Sequence, residues 1–445
     1  MSLLAWVLLC RQVSSATRLI VALCRTGAGA YLPIIDHFRG HQVWSVAVSK
    51  LSKGELKTAF ALSSVVGLRM FGLFLIMPVF SAYALHLSGA TPLLIGLAIG
   101  VYGFAQALLQ VPVGLLSDRI GRHVTITLGL LVFVLGSVVA ALAHGIHGII
   151  LGRVLQGMGA VSGASQALAA DHSRDDNRSK VMGIIGVSIG FAFILAIILS
   201  APLAELAGLS GLFWLTAVLA LIAVGLLWLL VPRPARRTAP DSARPGAVLR
   251  MLVRPQLMVL NTSIFMMHTM LTAAFVALPL MLVHNTGITL DHQWELYLPV
   301  MLVSVVVMGG VLRRVTSVAG SMRLVLVCAL GLGLALCGFS AAGNGHLLLW
   351  LAAIVFFSSF NLLEASLPSL VSRLAPTHMR GAALGAYATS QFLGAGVGGV
   401  LGGVMLQHIS LSAVFAAAAS LTLLWLPLLL WGHSRVVAAD AALAV

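Results

Sequence analysis

Twelve stretches of this chain stay apolar for 18 residues or more, at 58–84, 93–116, 124–143, 148–170, 181–204, 211–231, 256–283, 294–312, 324–342, 347–371, 381–406 and 412–432. Each is long enough to cross a hydrocarbon core about 30 Å thick as a helix. In lipid every backbone N–H and C=O must be satisfied within the chain, which allows only helices or a closed barrel. Period-two alternation is absent, so the stretches read as helices. Of the 445 residues 60% are hydrophobic and only 9% charged, against about 25% charged in soluble domains. The expected fold is all-α and polytopic.

The formal net charge of +14 could suggest a nucleic-acid partner, but its distribution says otherwise. Loops after spans 2, 4, 6, 8 and 10 carry sixteen Lys and Arg, and loops after the odd-numbered spans carry none. That asymmetry is the positive-inside rule and predicts cytoplasmic termini on both ends. The odd loops carry His86, His144, His147, His284, His292, His346 and His408 instead. Imidazole titrates near neutrality, so these could form an outer pH sensor or weak metal site, or simply occupy polar positions where Lys and Arg are excluded. Cys328 and Cys337 fall on opposite faces of span 9, and Cys10 and Cys24 precede the first span, so no metal site or disulfide framework is expected.

The longest polar segment, Val231 to Gln256, divides the spans six and six. An internal repeat crosses it at an offset of 202 residues, aligning Leu168 with Leu370, Arg178 with Arg380, Gly183 with Gly385 and Ser188 with Ser390. Repeats six spans apart keep one orientation, so the halves are parallel, an architecture with a midplane site between them. The expected organisation is an N-terminal extension at 1–55, a six-helix bundle at 56–231, a cytoplasmic linker at 232–255, a second bundle at 256–432 and a cytoplasmic tail at 433–445. Two readings of the extension stand. Its arginines and serines suit a transit segment, or it is translated upstream sequence ahead of a start at Val46 or Val48. Glycines four apart, Gly96 and Gly100 in span 2, Gly186 and Gly190 in span 5 and Gly394, Gly398 and Gly402 in span 11, suit close helix approach in lipid.

Between spans 2 and 3 the chain reads GLLSDRIGRH, Gly114 to His123, with Asp118, Arg119 and Arg122 in five residues. Gly121 allows a turn, and the arginines could pair with an acid on a neighbouring loop such as Asp171. Span 4 carries RVLQGMGA, Arg153 to Ala160, including Gln156, Gly157 and Gly159. These two segments resemble motifs A and B of the major facilitator superfamily. LRMFGLFLIMPVF, FNLLEASLPSL and YATSQFLGAGVGG are most similar to the YajR-type branch of its drug:proton antiporters. The resemblance runs from Leu56 to about Gly432 and implies twelve transmembrane helices in two parallel six-helix bundles. It implies that Asp118 docks near the start of span 11, and that Asp118, Arg119, Arg122 and Asp171, on a turn set by Gly114 and Gly121, latch the cytoplasmic side in the outward-facing state. It associates Arg153 with proton coupling. Three features depart from the pattern. His123 replaces a basic residue, Ala201-Pro202-Leu203-Ala204-Glu205 keeps only the proline of the antiport motif on span 5, and the sequence ends at Val445 where the branch continues into a soluble domain.

Within the spans, the ionisable side chains other than histidine are Arg69, Arg153 and Glu364. A central charge costs about 2.5–3.5 kcal/mol on insertion scales and reads as functional, in an aqueous cavity. A buried acid holds its proton, and one reached by water or arginine releases it. Glu364, approached in turn by water and by Arg69, is therefore the expected proton carrier. His268 is expected in the same cavity, with apolar contacts from Phe71, Phe74, Met77, Phe265, Met266, Met267 and Met270, and polar ones from Tyr102, Gln106, Gln110, Gln156, Asn261, Asn361 and Gln391. No nucleophile elbow, phosphate loop or metal cluster is present, so neither an enzyme nor a cofactor is expected.

The expected function is proton-coupled efflux of lipophilic small molecules or drugs by alternating access, in a bacterial inner membrane. The expected partners are a small-molecule substrate, protons and the bilayer, with no nucleic acid or nucleotide, and the chain is expected to act as a monomer. Proton-coupled uptake of a metabolite is the alternative within transport, raised by the degraded antiport motif. A non-transporting receptor or scaffold is the alternative outside it.

Overall fold

Span 1, the helix Lys53–Ala84, begins at a reciprocal cap. Ser52 Oγ accepts from Glu55 N at 3.1 Å, and Glu55 Oε2 accepts from Ser52 N at 2.8 Å, satisfying donors that the first helical turn otherwise leaves bare. The computed structural model describes residues 51–174, 177–232, 245–315, 317–343, 345–376 and 379–443. The extension through residue 50, with Cys10 and Cys24, and the arginine-rich stretch 233–244 lie outside the described residues.

Spans 2 and 3 are Pro92–Ile120 and Arg122–Ala141, joined at Gly121, whose φ of 96° is open to glycine at little cost. Spans 5 and 6 form one long helical run, Arg178–Leu230, that reverses at Gly208 with φ 64° and ψ −177°. Spans 7 to 12 are Pro255–Thr286, Trp294–Leu312, Val318–Ala341, His346–Leu374, Arg380–His408 and Leu411–Leu443. A short helix, Pro245–Val253, precedes span 7. Among the described residues ten helices are long and apolar enough to cross a membrane. The expected twelve are recovered because one of these runs contains two spans and span 4 is broken into Ile146–Met158 and Ser162–Asp171, each too short to count alone.

Two faces result. The basic face carries Asp118, Arg122, Asp171 and Arg174 at the ends of spans 2 and 4, and the opposite, histidine face carries the turns that follow the odd-numbered spans. Phe133, Leu130 and Leu227 pack toward the basic face of the first half, and Phe80, Ile95 and Phe213 toward its histidine face. Phe275, Tyr297, Phe339, Phe357 and Trp425 anchor the core of the second half. With lipid tails as apolar as leucine, specific polar and backbone contacts register the helices. Trp425 Nε1 donates to Ser263 Oγ at 3.0 Å, and Asn361 Nδ2 donates to Ser304 Oγ at 2.7 Å.

The halves meet closely along spans 2 and 11, in the portion nearer the histidine face. A Cβ added at Gly96, Gly100 or Gly103 would strike the main chain around Phe392, Gly396, Gly399 and Gly403, and one added at Gly399 would strike Gly96 and Gly100. Nearer the basic face, a Cβ at Gly114, Gly381 or Gly385 would meet nothing within 4 Å. The glycines expected to pack in span 5, Gly186 and Gly190, also face open space. The halves are thus in backbone contact at the seam nearer the histidine face.

Candidate functional site

The break in span 4 follows from RVLQGMGA itself. Gly157 lies so close to Tyr102 that a Cβ would meet its carbonyl oxygen, and Gly159 is held equally tightly against Gly129. The chain leaves helical geometry at Gly159, with φ −70° and ψ 41°. The carbonyls freed at such a helix end carry partial negative charge and favour a cation. Arg69 supplies it: one terminal nitrogen donates to Gly159 O at 3.2 Å, Tyr102 Oη at 3.0 Å and Gln106 Oε1 at 3.0 Å, and the guanidinium lies 5.2 Å from the Phe133 ring centre.

Arg69 takes the hydroxyl of Tyr102, and Arg153 takes its ring. Its guanidinium lies 4.8 Å from the Tyr102 ring centre, while Nε donates to Ala98 O at 3.2 Å and Nη1 to Gln156 Oε1 at 2.9 Å. Gln156 continues the chain by donating to Ser137 Oγ at 2.8 Å. Arg69 and Arg153 are 1% and 4% exposed. Both are inside the packing of the first half and bonded to neutral groups.

Glu364 lies in the second half with a different set of neighbours. Gln391 Nε2 donates to Glu364 Oε1 at 3.2 Å and lies 2.9 Å from His268 Nε2. His268 Nδ1 donates to Ile264 O at 3.2 Å, which leaves Nε2 as the acceptor in a neutral ring. One amide thus bridges histidine and glutamate through its two N–H bonds. Glu364 Oε2 has no hydrogen-bond partner and lies 3.9 Å from His268 Nε2, and the glutamate side chain is 30% exposed. The hydroxyl of Tyr387 is likewise buried without a partner. Aromatic rings run from this cluster into the first half: His268 to Phe360 at 5.8 Å, Phe360 to Phe193 at 5.3 Å and Phe193 to Phe74 at 5.1 Å.

Four residues singled out from the sequence therefore fall into two clusters, Arg69 with Arg153 and Glu364 with His268. Arg69 does not reach Glu364 in this state. Of the polar residues expected around a cavity, Gln391 contacts Glu364. Tyr102, Gln106 and Gln156 serve the arginines, Asn361 ties span 10 to span 8, and Asn261 donates to Met251 O at 3.4 Å. Met267 and Met270 are fully buried, whereas Phe74, Met77 and Met266 are partly buried against the second-half core.

At the basic face Arg122 joins both acids, reaching Asp118 at 2.5 Å and Asp171 at 3.3 Å, and donates to Ser117 Oγ at 3.1 Å. Arg119 is exposed. The acid pair is thus held inside the first half, and the span 11 start carries no side-chain cap. His123 is buried and donates to Val231 O at 3.1 Å, with its ring edge toward Trp228 at 6.0 Å, tying the loop to the end of span 6. Glu55, not singled out from the sequence, accepts from Arg174 N at 3.0 Å, Arg174 Nε and Nη2 at 3.2 Å and Asn177 Nδ2 at 3.0 Å. Its signal was the capping box S-x-x-E at Ser52. On the histidine face, His292 pairs with Asp291 at 2.8 Å. Among the described residues no three His, Cys, Asp or Glu side chains gather as a metal site.

Residues 62–398 match the Major Facilitator Superfamily. The chain is 40% identical over 382 residues to the inner membrane transport protein YajR of Escherichia coli, covering 85% of this chain and 83% of that one. It is 26% identical over 393 residues to multidrug resistance protein 2 of Bacillus subtilis, covering 84% and 97%. In three dimensions it is similar to the crystal structure of the human organic anion transporter MFSD10, with a TM-score of 0.65 at 18% identity, over 85% of this chain and all of the other.

Proposed function

The chain belongs to the major facilitator superfamily, a family of membrane transporters, and on that premise we propose that it exports lipophilic small molecules across a bacterial inner membrane in exchange for protons. In this reading the bundles 56–231 and 256–432, joined by 232–255, rock about the midplane, with the basic face and both termini in the cytoplasm. The observation that carries the reading is Glu364. Among the described residues it is the acid placed deep within a span, its side chain is 30% exposed, and its Oε2 is buried without a hydrogen-bond partner.

Glu364 binds a proton when the site is dry and gives it up when water or a cationic group approaches Oε2. His268 is its relay. A proton arriving at Nε2 turns the acceptor into a donor, so Gln391 must turn its amide and release Glu364. Arg69 and Arg153 act through packing: they hold the break in span 4, and with it the half-helix that ends at Asp171. Arg122, Asp118 and Asp171, carried by the turn at Gly121, form the cytoplasmic lock, engaged on span 11 when that face closes. The similarity to a protein named for multidrug resistance favours export, and the degraded antiport motif at Pro202 favours the uptake alternative.

The test is accumulation of ethidium in efflux-deficient bacteria expressing the chain. Export predicts accumulation below the vector control, restored by a protonophore and by Glu364→Gln. Accumulation above the control that collapses with the protonophore supports uptake instead. Lowered accumulation that survives Glu364→Gln and the protonophore contradicts the proposal.

A further inference from the structure

The first turn of a helix leaves backbone N–H groups without acceptors, and span 2 starts at the histidine face. Thr91 Oγ1 accepts from Leu94 N at 3.2 Å, an ordinary N-cap. Leu93 N is satisfied from elsewhere: it donates to Gln407 Oε1 at 3.0 Å. Gln407 belongs to the last turn of span 11, in the other half of the molecule, 314 residues away. The bond closes the outer end of the glycine seam, just beyond the point where a Cβ at Gly403 would meet Pro92 O and the Cα atoms of Leu93 and Gly96. At the opposite end of the same two helices the relation is reversed. The start of span 11 is uncapped, Asp118 in the last turn of span 2 is paired with Arg122, and the neighbouring glycines face open space.

We propose that Gln407 is a positioning residue for the histidine-face gate, capping span 2 from the opposite half while that face is closed and releasing it as the face opens. The inference rests on the alternating-access reading above. The glycine seam supplies contact area but no direction. Its backbones slide past one another unless a polar bond fixes register, and Gln407 with Leu93 is the side chain-to-backbone bond at its outer end. A neutral amide suits a latch that must let go. One net hydrogen bond of this kind biases an equilibrium about two- to tenfold, whereas a carboxylate on the positive end of a helix holds more firmly.

The experiment measures spin-label distances in the full-length protein with its four cysteines replaced by serine. One label pair, Leu142→Cys with Leu347→Cys, reports the histidine face, and both positions are exposed, at 60% and 74%. A second pair, Val124→Cys with Arg313→Cys, reports the basic face. The expected result is that Gln407→Leu raises the ratio of histidine-face-open to closed molecules about two- to tenfold, and that Gln407→Glu lowers it, with the basic-face pair moving in the opposite sense. Two populations in the wild type that neither variant shifts, or that both shift the same way, would overturn the role of Gln407 and leave alternating access standing. One population for both pairs in every variant would overturn alternating access and the inference with it.

Discussion

Arg69 donates to the carbonyl of Gly159 at 3.2 Å, so a buried cation of span 1 holds the point at which span 4 breaks. The same nitrogen serves Tyr102 and Gln106. Arg69→Met therefore strands three acceptors in an apolar interior, at about 1–3 kcal/mol for each one left unmatched. Thermal unfolding of the purified variant should begin well below wild type, and Arg69→Lys, with one compact ammonium, should fall between the two. A methionine variant as stable as wild type would mean that the break holds itself.

The acids around Arg122 are partly exposed, at 13% for Asp118 and 26% for Asp171, and exposed ion pairs contribute only about 0–1 kcal/mol. Asp118→Asn and Asp171→Asn should leave the unfolding temperature nearly unchanged and still depress transport. A parallel loss of stability and transport would assign these residues to folding alone.

Gly399 has span 2 backbone where its side chain would go. Gly399→Val overfills the seam, at a cost of about 1–3 kcal/mol when closed, and should make thiols placed on the histidine face more reactive. Gly385→Ala, in open space, is the matched control and should leave reactivity unchanged. Equal reactivity in both would show that the seam is not the barrier.

Gly208 reverses the chain between spans 5 and 6 at φ 64°, where a β-branched residue is strained by about 1–3 kcal/mol. Gly208→Val should lower the yield of folded protein, and Gly225→Ala, within a regular helix and free of neighbours, should not. Comparable yields of both variants would remove the requirement for glycine at the reversal.

Span number and type were legible because apolar length and backbone satisfaction in lipid leave few alternatives. The loop acids were legible too, since charge is so sparse that Asp118, Arg122 and Asp171 stood out, and Arg122 joins the two acids. Partnership inside the membrane was not. Arg69 and Glu364 looked complementary as isolated charges, yet a guanidinium is equally satisfied by a carbonyl, a phenol and an amide, and sequence does not reveal which it meets. The cap from Gln407 was hidden for another reason: an exposed glutamine at a helix end is unremarkable until the helix from the other half arrives beside it. His123 looked like a lost positive charge, and its bond to Val231 O depends on where span 6 ends.

In the proposed cycle Glu364 exchanges its proton for substrate. The direct measurement is proton release in weakly buffered detergent when ethidium is added, followed with a pH indicator while dye anisotropy reports binding. Wild type should release protons as it binds dye, and Glu364→Gln should bind dye and release none. Proton release by the glutamine variant equal to that of wild type would mean that another group carries the proton.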